Sequence, residues 1–381
     1  MSTQSPKFAQ FLFSYYAHAG TFATYASLFF AARGMSPGQI GVLMSLIQVM
    51  RMIGPNLWGW VADRSHRRIL VLRANAVAAL FAFTGLFFAH DFASLFAVMV
   101  LLNLFTSGMV PLAEAQLLSE MRGDLSGYGR VRLWGSIGFI LAVTGAGYGL
   151  EWWGVESLLW IAGALLLLVL AATLQVREAA AIERPKGHVP VLHVLRQPDV
   201  AAFFASTALM VAAHTSLYVY YSLYLERIGY SKPVIGAMWS VGVLVEIGFF
   251  YFQSAVMARL GARRLMMLAF AVATGRFILI GAGAGWFAVL LFAQLLHAVT
   301  FAAHHSSAIV AMQKWFAGPL QARGQALYMS IAYGVGGSAG GLFMSLCWEK
   351  LGPSGVYYAA SVLATLGLLC ARFSFRWQGR S

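Results

Sequence analysis

Charged residues are scarce in this chain, and cysteine is nearly absent. Only 10% of its 381 residues are Asp, Glu, Lys or Arg, whereas 60% are hydrophobic. This balance excludes a water-soluble globule. The two cysteines, Cys347 and Cys370, lie in apolar stretches, so neither a disulfide framework nor a metal site is predicted. The N-terminal segment lacks the basic region, short apolar core and cleavage site of a leader, so we expect its apolar run to be retained.

Long apolar runs fill most of the sequence. A membrane-spanning helix needs about 20 such residues, and runs of that length recur from one end of the chain to the other. The runs are apolar on all sides, which favours helices. The sequence therefore predicts an all-α membrane protein with twelve transmembrane helices at 8–32, 40–62, 69–89, 92–117, 130–150, 157–176, 199–223, 233–258, 264–283, 285–312, 324–347 and 354–373.

The net charge of +13 could indicate a nucleic-acid partner, but the placement of the basic residues gives another explanation. With an even number of spans, both termini and alternate loops share one side, and most of the 26 Lys and Arg residues fall there. Positive loops face the cytoplasm, so both termini are predicted to be cytoplasmic and no nucleic acid is needed. The few basic residues of the opposite side are Arg33, Arg227, Lys232 and Lys350.

The chain also divides into two similar halves. A polar linker at 177–198 separates a six-helix bundle at 1–176 from a second at 199–381. A basic turn joins the second and third spans of each half, and a buried charge precedes each turn by a matching interval, Arg51 in one half and Glu246 in the other. Duplicated halves of this kind are typical of transporters whose site lies where the repeats meet.

The turn at Gly59–Arg68, GWVADRSHRR, resembles the signature of the major facilitator superfamily. By that resemblance it is a gating motif in which Gly59 permits close helix packing and Asp63 accepts hydrogen bonds from a neighbouring helix N-terminus. His66 stands where the family usually has a glycine. The basic residues that would pair with acids and lipid phosphates are Arg64, Arg67 and Arg68.

Two further segments, PLAEAQLL at Pro111–Leu118 and GYGRVRLWGSIGF at Gly127–Phe139, resemble the fourth and fifth helices of the lactose permease branch of that superfamily. The resemblance implies that Glu114 and Arg132 form a substrate-binding ion pair and that Phe139 stands in the place of a stacking tryptophan. A charge near the bilayer centre costs roughly 2.5 to 3.5 kcal/mol, so a charged pair at that depth is expected to have a role that offsets this cost. A buried pair that only fixes the packing of two helices is the alternative.

The second half continues the resemblance in part. Arg276 and His297 align with permease residues used in proton coupling. Thr300 replaces the proton-carrying acid of the permease, Gln294 replaces its coupling lysine, and Glu246 lies about one turn beyond its helix 8 acid. The lactose mechanism therefore cannot be transferred whole. The pair of acids in the permease's seventh helix aligns with Thr215 and Tyr218.

A resemblance that covers the entire chain is to the phenylpropionate permease-like transporters, which implies uptake of an aromatic acid. The segments that carry it are Arg51, VPLAEA at 110–115, GYGRVRLWGS at 127–136, LRQP at 195–198, His214, WSVGVLVE at 239–246, Arg276 and QLLHAVTFAAHH at 294–305.

The embedded charges also favour an anionic substrate. Five charges are embedded away from the ends of the predicted spans, and their sum leaves one excess positive charge that a monoanion would cancel: Arg51, Arg132, Arg276, Glu114 and Glu246. Arginine donates two parallel hydrogen bonds to a carboxylate. Aromatic rings near these charges could stack on an aryl group or a sugar, or could simply pack. The predicted substrate-binding residues are Glu114, Arg132, Arg51, Phe139, Tyr15, His214 and Tyr218, and the predicted proton-coupling residues are Glu114, Glu246, Arg276 and His297.

Together these features predict a secondary active transporter, not an enzyme, that imports an aromatic carboxylate with protons by alternating access. A sugar, oligosaccharide or nucleoside symporter is the alternative, followed by a drug efflux antiporter and, in a different class, a membrane sensor that has lost transport. No cofactor is expected, because a proton gradient supplies the energy. The expected partners are the substrate, protons and the lipid bilayer, and the chain is expected to work as a monomer in the bacterial inner membrane.

Overall fold

The computed structural model describes residues 4–121, 125–178 and 192–377, and these residues form helices and short turns without a strand. Apolar runs dominate the chain, and a helix satisfies every backbone polar group within the run itself. The helices are α1 (Ser5–Ala32), α2 (Pro37–Ser65), α3 (Arg68–Thr84), α4 (Phe92–Glu120), α5 (Leu125–Trp153), α6 (Ser157–Gln175), α7 (Leu192–Leu195), α8 (Pro198–Arg227), α9 (Lys232–Gly283), α10 (Phe287–Leu295), α11 (His304–Met312), α12 (Gln321–Tyr328) and α13 (Gly337–Trp377).

The protein is an integral multi-pass membrane protein. Within the described ranges, nine helical segments are long and apolar enough to cross a bilayer. Two of them, 232–283 and 323–376, contain a non-helical glycine, Gly261 and Gly352, at positions where the sequence predicts loops between spans. The all-helical class is confirmed, whereas the count of twelve spans and the cytoplasmic position of the termini stay predictions.

The chain forms two compact units. The first comprises 1–185 together with 229–240, and the second comprises 186–228 together with 241–381. The predicted bundles at 1–176 and 199–381 stay a prediction, and most of the predicted linker at 177–198 lies outside the described residues.

In the first unit, α1 packs against α5 and α6, and α2 packs against α4. Glycines allow the α1–α5 contact. A Cβ atom on Gly138 would lie 2.2 Å from the Phe13 carbonyl oxygen, and one on Gly20 would lie 2.3 Å from the Phe139 ring. Because these positions have no side chain, the two backbones approach closely.

Two arginines of the first unit bind the C-terminal carbonyls of neighbouring helices. Arg73 donates to the carbonyls of Thr173, Leu174 and Val176 at the end of α6. Arg33 donates to carbonyls after α3 and forms an ion pair with Glu156 at 2.7 Å. Cations stabilise helix C-termini, so these basic residues brace the bundle as well as marking its topology.

The gating motif is arranged differently from the expectation in two respects. The hydrogen bonds expected of Asp63 are made in this structure by Glu178, which accepts the backbone N–H groups of Arg68 at 2.8 Å and Ile69 at 2.9 Å. Asp63 instead lies 3.6 Å from the Arg68 guanidinium. Among the described residues, apart from the neighbouring residues and backbone of α2 itself, no atom lies within 4 Å of a Cβ placed on Gly59, so no other helix packs closely there in this structure and the packing role of Gly59 stays a prediction.

The turn before α3 explains the unusual histidine of the motif. His66 has φ 54° and ψ 26°, the left-handed conformation that favours glycine. Arg64 and Arg67 flank this turn and are exposed. At the position where the family signature has a glycine, this chain therefore has a left-handed residue that adopts the conformation less readily than glycine.

In the second unit, α8 packs against α13. The glycine-rich run before and within α13 makes this contact close, since a Cβ on Gly336 would lie 2.5 Å from the Ala208 carbonyl oxygen and one on Gly340 would lie 2.5 Å from the Ala212 Cα. Two π-helices interrupt the α-helices of this unit, the first at Ala298–Ala303 and the second at Met329–Gly336. Such turns are rare and often occur at functional sites.

Candidate functional site

An ion pair joins α4 and α5 inside the first unit. Arg132 Nε lies 3.2 Å from Glu114 Oε1. About a third of the Arg132 side chain and a quarter of the Glu114 side chain remain exposed, at 33% and 26%. The sequence predicted this pairing, and the structure brings the two residues together in a position that a solute can reach.

Two tyrosines complete this cluster, and neither is among the predicted site residues. Arg132 Nη2 donates to the Tyr16 hydroxyl at 2.7 Å, and its guanidinium carbon lies 4.2 Å from the centre of the Tyr16 ring. Tyr128 hydrogen-bonds the Glu114 carboxylate. Gly135 makes the Tyr16 position possible, because a Cβ there would lie 2.6 Å from the ring. The sequence feature that could have indicated the role of Tyr16 is the missing side chain at Gly135 of α5, which leaves room for a tyrosine ring from α1.

A cavity opens beside this cluster between α1, α2 and α4. Arg51 of α2 lines it, together with Tyr15 and Phe22 of α1 and Asn103 and Thr106 of α4. Arg51 is exposed, whereas Asn103 is buried. The rings of Tyr15 and Tyr16 stand edge to face with centroids 5.4 Å apart, so the cavity and the ion pair are contiguous.

Phe139, the expected stacking residue, lies on α5 with its ring against Gly20 of α1. It is half-buried. In this structure the ring contributes to helix packing, and its role in substrate binding stays a prediction.

A second charged cluster is centred on Arg276 in the second unit. This side chain is fully buried, and its donors have defined acceptors. Nε donates to the Ala293 carbonyl at 2.7 Å, Nη1 donates to Thr300 Oγ1 at 2.8 Å and to His297 Nδ1 at 2.9 Å, and Nη2 donates to Gln294 Oε1 at 2.7 Å. Thr300 and Gln294, which depart from the lactose permease pattern, are therefore two of the four acceptors that hold this arginine.

His297 connects Arg276 to Glu246. An arginine can only donate, so His297 Nδ1 accepts, and in the neutral ring the hydrogen sits on Nε2. Nε2 lies 2.8 Å from Glu246 Oε1 and donates to it. A carboxylate, an imidazole and a guanidinium thus form one chain of hydrogen bonds, and the three residues predicted for proton coupling in this half are brought together.

The first π-helix begins directly after His297. His214 of α8 reaches the same region, with Nδ1 donating to the Met210 carbonyl at 2.9 Å and Nε2 3.4 Å from Thr300 Oγ1. Its ring centroid lies 6.3 Å from that of Tyr218. The structure places His214, a predicted substrate residue, beside the Arg276 cluster of its own unit and buries it.

The sequence matches a family model over residues 6–359, and that model is described as the MFS_1 like family. The match covers most of the chain, and the helical fold agrees with it. The chain belongs to this family of the major facilitator superfamily. Its homologues and structural neighbours are membrane transporters, and the protein is a transporter rather than an enzyme.

Among curated members of the superfamily, the probable 3-phenylpropionic acid transporter of Escherichia coli (strain K12) is 29% identical over 92% of this chain and 93% of its own length. The maltose permease of Geobacillus stearothermophilus is 26% identical over 88% of this chain and 85% of its own length. The crystal structure of the nucleoside transporter NupG superposes with a TM-score of 0.85 at 16% identity, over 98% of this chain and 99% of the other. The last likeness shows the shared fold.

Proposed function

We propose that this transporter is a proton-coupled symporter that imports a small aromatic carboxylate, such as 3-phenylpropionate, across the bacterial inner membrane by alternating access. The observation that carries the proposal is the hydrogen-bonded chain from Glu246 through His297 to Arg276. The relative that is named as a probable 3-phenylpropionic acid transporter supports the choice of substrate.

The chain of hydrogen bonds links protonation to structure. Its geometry requires a neutral His297 that donates to Glu246 and accepts from Arg276. A proton on His297 removes the acceptor that faces Arg276, and a proton on Glu246 removes the charge that His297 Nε2 faces. The first event breaks a buried hydrogen bond and the second weakens one, and both changes are costly. Proton uptake therefore favours a rearranged state of this cluster, which is the property that a coupling site needs.

The charge balance supports a monoanionic substrate. Glu114 neutralises Arg132 in the first unit, and Glu246 lies within the same hydrogen-bonded chain as Arg276 in the second. One embedded arginine is left without a carboxylate among the described residues, and one carboxylate group on a substrate would balance it. The aromatic rings of α1 give the rest of such a molecule apolar contacts.

Transport by purified protein in liposomes tests this proposal. Uptake of radiolabelled 3-phenylpropionate should rise when the outside is made more acidic than the inside, and it should return to the baseline when the gradient is collapsed by an ionophore. Liposomes without protein are the control. Uptake that does not respond to the gradient would contradict proton coupling. Absence of saturable uptake would contradict the proposed substrate class.

A sugar substrate is the second candidate, and the exposure of the Glu114–Arg132 pair favours it. The Glu114 carboxylate can accept hydrogen bonds from the hydroxyl groups of a neutral solute, and the Arg132 guanidinium can donate hydrogen bonds to them. The maltose permease relative is consistent with this reading. Competition against labelled phenylpropionate by unlabelled acids, sugars and nucleosides would rank the classes, and inhibition by sugars alone would favour the second candidate.

A further inference from the structure

We propose that Arg51 binds the substrate carboxylate and that the Glu114–Arg132 pair does not. The proposal rests on the proposed function and specifies its site. It arises from a comparison of the three embedded arginines, which differ in how many of their N–H groups are already bonded.

Arg276 has four of its five N–H groups already bonded. Four acceptors surround it, and its side chain has no exposed surface. Arg132 is partly committed, because Nε faces Glu114 and Nη2 donates to Tyr16. A substrate carboxylate at Arg132 would lie next to the Glu114 carboxylate, and like charges at that distance repel each other.

Arg51 differs from both. No hydrogen-bond acceptor or carboxylate of the described residues contacts its guanidinium, and the side chain is exposed where it lines the cavity. Its planar fork matches a carboxylate with two parallel hydrogen bonds. Arg51 is therefore the embedded cation that accounts for the excess positive charge.

The polar neighbours of Arg51 in the cavity do not compete for an anion. Tyr15 donates to the Thr106 carbonyl at 3.1 Å, Thr106 Oγ1 donates to the Leu102 carbonyl at 2.9 Å, and Asn103 Nδ2 donates to the Met99 carbonyl at 2.8 Å. His18 Nδ1 donates to the Ala162 carbonyl at 2.8 Å. These groups bind backbone oxygens, which leaves the guanidinium as the donor that faces the cavity.

The rest of the cavity suits an aromatic ring. Phe22 and Tyr15 supply aromatic surface. Ala19 and Ala23 of the same helix also line the cavity, and their small side chains take up little of its space. A carboxylate at Arg51 would place an aryl group joined by a short chain against α1. The site takes one charge, so a second carboxylate on the ligand would find no open cation among the described residues that line the cavity.

Equilibrium binding to purified protein tests the assignment. The ligands are 3-phenylpropionate, its uncharged amide 3-phenylpropionamide, and phenylsuccinate as a dicarboxylate. The variants are Arg51→Gln, Arg51→Lys and Arg132→Gln, with Arg130→Gln as a matched control on an exposed arginine. Thermal unfolding of each variant in detergent shows that it is folded.

Charge-assisted hydrogen bonds set the expected effect. Arg51→Gln should weaken binding of the acid by about 10- to 150-fold while binding of the amide changes by less than about threefold. Arg51→Lys should recover part of the loss, because it restores the charge without the fork. Arg130→Gln should match the wild type, Arg132→Gln should keep the preference for acid over amide, and phenylsuccinate should bind more weakly than the monoacid.

Two results separate this inference from the proposed function. If the wild type binds the acid and Arg51→Gln binds it equally well, the assignment to Arg51 is wrong while the substrate class stands. The same conclusion follows if the preference for acid over amide is lost in Arg132→Gln and kept in Arg51→Gln. If the wild type binds no aryl acid, the proposed substrate class fails and the inference fails with it.

Discussion

The Glu114–Arg132 pair and the Arg276 cluster are both embedded charges, yet their surroundings differ in kind. The pair in the first unit keeps 26% and 33% of its side-chain surface exposed, whereas Arg276 has none and is held by four acceptors. An exposed pair can respond to an arriving solute. A fully buried cluster responds only when one of its own members changes protonation, so the two units are suited to different tasks.

The largest difference should be in stability. Arg276→Met leaves four buried acceptors without their donor and should lower the free energy of unfolding by about 3 to 5 kcal/mol. Arg132→Met removes a partly exposed pair and should cost about 1 kcal/mol or less. Unfolding in mixed detergent and denaturant measures both, with Arg372→Met as a control on an exposed arginine of the second unit. Equal losses of unfolding free energy in Arg276→Met and Arg132→Met would contradict the proposed difference between the two clusters.

Proton coupling should be lost without loss of substrate exchange when Glu246 is replaced by Gln. The amide oxygen can still accept from His297 Nε2, but the side chain no longer takes up a proton. Uptake should then lose its stimulation by an inward proton gradient, while exchange of labelled for unlabelled substrate continues. Both assays use the same liposomes, and Glu349→Gln serves as the matched control. Gradient-stimulated uptake that survives in Glu246→Gln would assign the proton elsewhere.

Replacing both residues of the Glu114–Arg132 pair should impair uptake less than the two single replacements predict. Glu114→Gln leaves the Arg132 charge without its partner, and Arg132→Gln leaves the Glu114 charge alone, so each should reduce the uptake rate about tenfold or more. The double variant leaves neither charge uncompensated and should be less impaired than the product of the two effects. A double variant whose loss equals that product would show that the two residues act independently.

A smaller effect is expected at Tyr16. Tyr16→Phe keeps the ring over the Arg132 guanidinium and removes the hydroxyl that accepts from it. A hydrogen bond of this kind contributes about 0.5 to 1.5 kcal/mol, so the half-saturation constant for uptake should change by about 2- to 10-fold. Tyr224→Phe, which removes a hydroxyl contact with Ser354, is the control. No change in Tyr16→Phe would mean that Glu114 alone positions Arg132.

The sequence was sufficient to predict the helical fold and the pairing of Glu114 with Arg132. The fold follows from the length of the apolar runs, and the pairing follows from two opposite charges on adjacent helices in a medium that penalises isolated ones. The role of Tyr16 was not predictable in the same way, because it depends on α1 packing against α5 at Gly135, a contact between distant parts of the chain.

Thr300 and Gln294 illustrate a second limit. Compared with the lactose permease pattern they are losses of an acid and a lysine, yet in the structure both accept hydrogen bonds from Arg276. A comparison of sequences shows which charged side chain is missing. It does not show that the Arg276 guanidinium is oriented so that Thr300 and Gln294 accept its hydrogen bonds. Glu178 was missed for a similar reason, because its contact with the start of α3 joins residues more than 100 positions apart.

The two π-helices have a consequence for how this chain is compared with its relatives. A π turn is an α turn with one extra residue, so it rotates everything beyond it by about 100° relative to an uninterrupted α-helix. Residue equivalences drawn at constant spacing through 298–303 or 329–336 will therefore assign a side chain to the wrong face. Homologues that lack these turns must differ by a one-residue insertion or deletion there, and positions such as His304 and His305 should be matched by superposition of coordinates.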